Sequence, residues 1–130
     1  MLVDYYTLFG QRSPRDFGSY YADNGVLDVN GVVRQGREPI NDLYKGITEG
    51  GNIHILISNP KIVVDGDSAM VDLIWTEVVS ENHAALPRIV EQGREHDDLV
   101  RRNGRWLFMK RMVTNDGGLP AALERNYKER

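Results

Sequence analysis

From residue 52 to residue 115 apolar side chains recur at nearly every second position, and the run is broken by two dipeptides, Asp65-Gly66 and Asn103-Gly104. Period two sends alternate side chains to opposite faces of a pleated strand, and Asp-Gly and Asn-Gly supply the positive φ of tight hairpin turns. The spacing therefore predicts strands at about 52–64, 68–80, 87–102 and 105–115, wound as an antiparallel meander. The middle connection, from Glu81 to Leu86, reads as a looser loop in which His83 is solvated.

Ahead of residue 52 the pattern is mainly helical. Leu2, Tyr5, Tyr6 and Phe9 share one helix face, and Gly10 closes it. Ser13 as N-cap and Pro14 at the first helical position predict a second helix to about Ala22. Asp28 to Val32 reads as a hairpin turning at Asn30-Gly31. Ile40, Leu43, Tyr44 and Ile47 give a third helix, ended by Gly50-Gly51. A weak helical pattern around Leu119–Leu123 precedes a polar end, and the opening inside a helical pattern leads us to expect a further helical segment upstream. Helices followed by a meander mean an α+β fold in one domain, residues 1–130. A curved antiparallel sheet with helices on its concave face makes a cone, with a pocket between the layers.

The charge pattern narrows the partners. Net charge is −3 and no basic cluster is present, which argues against nucleic acid. No apolar run approaches a membrane span, and the lack of cysteine suits a reducing cytoplasm and removes thiolate metal sites. Three widely spaced histidines match no metal-ligand motif.

Chemistry is sought where charge falls on an apolar strand face. With Asp65-Gly66 as a two-residue loop, Leu56 opposes Trp75 and His54 opposes Glu77; a three-residue loop would set Glu77 against Ile55 instead. A carboxylate among hydrocarbon has a raised pKa, and an imidazole beside it makes a general base near neutral pH. In the last hairpin, Asn103-Gly104 as a two-residue loop sets His96 against Arg111 and turns Asp97 toward the other face, with Glu95, Asp97 and Asp98 partly solvated. The catalytic candidates are His54, Glu77 and Tyr5; the substrate-binding candidates are His96, Arg111, Trp75 and Tyr6. Each also has a structural reading, as a hydrogen-bonded core histidine, an interstrand ion pair or packing aromatics.

The segments "YYTLFG", "ADNGVLDVNG", "SNPKIVVDGDSAMV" and "DDLVRRNGRWLFMKR" resemble the SnoaL-like branch of the nuclear transport factor 2-like superfamily over most of the chain. The resemblance implies a cone-shaped α+β barrel, a homodimer or higher homo-oligomer packed through the sheet, and no cofactor. Its members include scytalone dehydratase, bile acid 7α-dehydratase, polyketide cyclases and ketosteroid isomerase. Tyr5 lies where the dehydratases keep a helix tyrosine, His54 or Ile55 where they keep a strand histidine, and Glu77 where they keep an acid. Gly10 stands in place of their helix aspartate. The implied function is a lyase or isomerase acting on a small apolar cyclic or aromatic substrate. The alternative is a non-catalytic ligand-binding or dimerisation module of the same fold.

Overall fold

The computed structural model describes residues 1–11, 15–45, 53–80 and 84–116. In chain order these form helix α1 (Leu2–Thr7), strands β1 (Tyr21–Val29) and β2 (Val32–Gln35), helix α2 (Arg37–Lys45), and strands β3 (Ile53–Asp65), β4 (Ser68–Val79), β5 (Arg88–Arg102) and β6 (Arg105–Asn115). The fold is α+β, as the sequence pattern implied. Its six strands run in the order β2-β1-β6-β5-β4-β3, and the sheet stays open. β3 to β6 form the expected antiparallel meander. β1, however, joins β6 in parallel, so the sheet is mixed rather than wholly antiparallel.

One expected helix is replaced. Among the described residues of that stretch only Gly18–Tyr20 forms a short 3-10 turn, and Tyr21 already begins β1. The run Tyr21, Ala22, Gly25, Leu27 is buried against the sheet, and tertiary contact overrides the weak helical signal of Ser13-Pro14. Other expectations hold. Asn30 (φ 51°) and Gly31 (φ 88°) turn the β1–β2 hairpin as two successive left-handed residues. α2 buries Ile40 and Tyr44. The helix start at Ser13-Pro14, Ile47 and Gly50-Gly51, His83, and the segment 117–130 lie outside the described residues.

The core lies between the helices and one sheet face. Tyr5, Phe17, Tyr21, Leu27, Ile40 and Phe108 are its fully buried apolar members. The Tyr5 ring meets Tyr6, Phe9, Phe17 and Phe108 edge-on, at centroid distances from 5.1 to 6.2 Å, the favoured geometry for aromatic packing.

Two bulges set what faces this core. In β3, Asn59-Pro60 carries one residue more than its partner strand: Lys61 pairs with Asp72, but Ser58 pairs with Ile74. In β6, Met109 is the extra residue, since Phe108 pairs with Leu99 and Lys110 with Asp98. An inserted residue reverses the facing of every side chain beyond it. The first hairpin moreover turns on Gly66-Asp67, with Asp65 paired to Ser68, and not on Asp65-Gly66 as expected, so both candidate hairpin pairings are broken.

Candidate active site

Glu77 pairs with Ile55 on one side and with Glu91 on the other. His54 pairs with Val78, so it looks away from the concave face. The expected His54–Glu77 pair is not formed. His54 is exposed beside Gly10, where an added Cβ would lie 3.2 Å from the imidazole. His96 is corrected in the same way. It pairs with Met112 rather than Arg111, on the convex face, with Nδ1 2.7 Å from Asp72 and Nε2 3.4 Å from Asp98. The hydrogen bond to Asp72 raises the His96 pKa, but the group lies outside the cavity.

Arg111 instead pairs with Asp97 and is almost wholly buried. Its guanidinium carries five N–H donors, and each has an acceptor. Nε and Nη2 donate to the two oxygens of Glu95, at 2.6 and 3.2 Å. Nη1 donates to the hydroxyls of Tyr5 (2.9 Å) and Tyr44 (2.7 Å), and Nη2 to that of Tyr6 (2.8 Å). The cation also lies over the Tyr5 ring, 4.6 Å from its centroid. Burial is the largest single influence and works against the charge of Arg111, but Glu95, Tyr44, Tyr5 and Tyr21 together outweigh it and hold the group protonated.

Glu95 and Asp97, expected to be partly solvated, are 2% and 0% exposed. Burial, and then the charge of Glu95, raises the Asp97 pKa far above the carboxylate range. As an anion, Asp97 would have no donor for either oxygen; as an acid it gives its proton to Glu95. The buried cluster then carries one positive and one negative charge. Asp97 is the residue that sequence reasoning turned the wrong way, and the bulge at Met109 is why.

Tyr5 is buried in this network, its hydroxyl 2.8 Å from that of Tyr21 and donating to Tyr44 at 3.1 Å. Burial raises the pKa of Tyr5 and of Tyr21. Both phenols stay protonated and serve the packing of the guanidinium.

Above the cluster a cavity of about 430 Å³ opens between α1, α2 and the sheet. Phe9, Ile55, Trp75, Val90 and Val113 give it apolar walls, and Tyr6, Tyr44, Glu77, Glu91, Arg111, Asn30 and Asn115 add polar groups. The indole of Trp75 lies over Gly93, where a Cβ would come within 2.7 Å of the ring and 1.9 Å of the Thr114 carbonyl. Asn30 and Asn115 clasp each other at the rim: Asn30 Nδ2 donates to Asn115 Oδ1 at 2.9 Å, and the Asn115 backbone N–H to Asn30 Oδ1 at 3.0 Å.

Glu77 and Glu91 face each other across β4 and β5 in this cavity. Burial first, then the charge of Glu91 and a hydrogen bond to it, push the Glu77 pKa up to about 7. Two carboxyl groups this close in a half-buried site share one proton. Tyr6 completes the arrangement. Its oxygen is pinned by Arg111, and among the described residues its own proton has no acceptor, so it is available to a ligand in the cavity. Of the candidates named from sequence, Glu77, Trp75, Tyr6 and Arg111 meet in the cavity; Tyr5 lies behind it, and His54 and His96 outside. Glu91 was missed, because Val90 bulges out of β5 and no composition signal announces it.

Residues 1–112 match the SnoaL-like domain. The chain belongs to that family. Solved structures with the fold of this SnoaL-like chain include an NTF2-like protein with a cystatin-like fold from Novosphingobium aromaticivorans (TM-score 0.77, 17% identity, 93% of this chain and 80% of that one). A putative scytalone dehydratase from the same organism aligns with TM-score 0.72 and 18% identity, over 88% of this chain and 78% of that one. ActVI-ORFA from Streptomyces coelicolor aligns with TM-score 0.76 and 16% identity, over 92% of both chains. No curated protein is significantly similar in sequence. Among the described residues no helix of this SnoaL-like domain is long and apolar enough to cross a membrane, and no group of three or more acidic or imidazole side chains is placed to hold a metal ion.

Proposed function

We propose that this SnoaL-like protein is an acid–base catalyst without a cofactor, a lyase or isomerase acting on a small apolar cyclic or aromatic substrate that carries a carbonyl group. The observation that carries this reading is the Glu77–Glu91 pair, a carboxylate tuned to about pH 7 inside an apolar cavity. A general base works best when its pKa is near the operating pH. The ring of the substrate lies on Trp75, with its carbonyl toward Tyr6. Glu77 removes a proton from the carbon next to that carbonyl. The oxygen, gaining negative charge, accepts the Tyr6 proton as a hydrogen bond, strengthened because Arg111 donates to the same phenol. The proton then held by the acid pair returns to a second carbon in an isomerisation, or goes to a departing hydroxyl in a dehydration.

Likeness to the putative scytalone dehydratase, at 18% identity, speaks for the fold. The reaction class rests on the cavity. One feature favours the non-catalytic alternative: Arg111 spends every donor inside the protein and offers none to a substrate. The two readings part in one experiment. Cyclic ketones and aromatic polyketide-like compounds are screened by thermal shift, and those that bind are assayed for turnover and for exchange of carbon-bound deuterium. The enzyme reading expects exchange or turnover that disappears in Glu77→Gln while binding persists. Binders that the wild-type protein neither exchanges nor converts at any pH from 5 to 9 would leave only the binding module.

A further inference from the structure

The tip of the last hairpin carries a second feature, roughly 35 Å along β5 from Glu91. Arg102 and Arg105 are opposed there, in the pair that flanks the Asn103-Gly104 turn. Like charges set directly opposite each other in a ladder repel. The turn needs Asn and Gly for their positive φ, and it gains nothing from two cations beside them.

The fold brings a third cation to the pair. Arg37, the first residue of α2, lines the same recess of about 320 Å³, together with Asp23, Asn103 and Leu107. Arg37 is held from behind: its Nε donates to the Tyr21 carbonyl at 3.0 Å, and its Nη1 lies 3.3 Å from Asp23. The Arg105 guanidinium rests over the Tyr20 ring, 5.8 Å from its centroid. Arg102 makes a long contact, 3.9 Å, with the Met109 sulfur. Among the described residues neither Arg102 nor Arg105 forms an ion pair. The acid of the neighbouring hairpin, Asp67, is taken by Arg101, which lies over Trp106 on the other face of the strand.

The recess thus sets three guanidinium groups against one carboxylate, in a chain whose net charge is −3. Leu107, buried beneath them, keeps water from one side and strengthens their attraction for an anion. A carboxylate fills one guanidinium fork. A phosphate brings about two negative charges and three acceptor oxygens, which suits several arginines at once and ends the repulsion between Arg102 and Arg105. The recess is also roughly ten times the volume of one liquid water, so a phosphate enters with the first atoms of whatever carries it. A nucleic-acid strand needs a longer track of cations and stacking rings than these three side chains supply.

We propose that this recess is an anion site, separate from the cavity, that takes a phosphoryl group, either as free phosphate or as a small phosphomonoester. The site stands whether or not the cavity is catalytic.

Calorimetric titration of the full chain with inorganic phosphate and with phenyl phosphate, at constant ionic strength, tests it. Saturable binding is expected, and the tighter of the two ligands names the source. Arg102→Gln and Arg105→Gln, each folded by circular dichroism, are each expected to weaken binding about tenfold, the worth of one charge-assisted hydrogen bond. Asp23→Asn removes the competing carboxylate and should tighten binding about threefold. Arg101→Gln removes the same charge one residue away but on the other face, and should change binding less than about twofold. The proposal is overturned if neither ligand binds saturably at about 10 mM. An Arg101→Gln loss as large as that of Arg102→Gln also overturns it, because the attraction would then be diffuse surface charge. So does a single-stranded oligonucleotide that binds far more tightly than either phosphate and depends equally on Arg101.

Discussion

Two groups of acids stand on the same face of the sheet, their β5 members Glu91 and Glu95 about 13 Å apart by strand rise, with Gly93 between them. Glu95 and Asp97 are sealed with Arg111 and its three tyrosines; Glu77 and Glu91 look into the cavity, and among the described residues neither forms an ion pair with a cation. The chemistry of the side chains is alike and their fates differ. Where a guanidinium donates to both oxygens of a buried carboxylate, the charge is neutralised and the group becomes architecture. Where it is absent, the pair holds its excess proton loosely, near neutral pH, and that proton can be traded with a ligand. Countercharge and donor supply decide which acids react.

The largest expected effect tests the sealed side. Arg111→Met strips the countercharge from buried Glu95 and should cost about 3–5 kcal/mol in urea unfolding. A loss under 1 kcal/mol would mean that water reaches the cluster. On the open side, Glu77→Gln should lower turnover about 10²- to 10⁴-fold on any compound the wild type converts, with stability at pH 7 unchanged or raised. A fall in stability instead would move Glu77 into the architectural group.

pH separates the two sides more finely. Both raised carboxyl groups bind protons more tightly in the folded state, so their contribution to stability is present in acid and lost as pH rises. For Glu77 the loss runs from the ordinary carboxylate range to a plateau just above pH 7, and after solvent screening amounts to ~1–2 kcal/mol. Urea midpoints from pH 4.5 to 8 should decline in the wild type and decline less steeply in Glu77→Gln, where the slope from Asp97 remains. Asp97→Asn replaces a neutral acid by a neutral amide that still donates to Glu95, and should change stability by less than about 1 kcal/mol at pH 7. A large loss there would show an anionic Asp97. Smallest of all, His96→Gln on the convex face should cost no more than about 0.5 kcal/mol at pH 6 and nothing at pH 9, since the raised histidine is charged only at the lower pH.

The sequence showed the meander and the two tight hairpins, because period-two alternation and Asn-Gly turns are local signals. It also picked out Glu77, Arg111, Trp75 and Tyr6, since a charged group on an apolar strand, or a phenol on an apolar helix face, stands out without knowledge of its partner. Partners were harder. Each hairpin was paired from its turn outward, and a single inserted residue reversed the result: Asn59-Pro60 sent His54 outside, and Met109 traded His96 for Asp97 opposite Arg111. One of these had a sequence signal, for a proline within a strand marks an edge or a bulge. Met109 gave none. The Tyr21 strand escaped notice because it pairs with the far end of the chain, in parallel, a contact no local window contains.

Gly93 has a bearing on ligand size. A hydrogen at that position lets the indole of Trp75 recline against bare main chain, and the Thr114 carbonyl sits where any larger substituent would begin. The room above is thus bounded below by the thinnest floor a polypeptide can make. Nothing can be trimmed from Gly93 itself, so on this side larger guests can be admitted only by shortening Trp75, the side chain that rests on it.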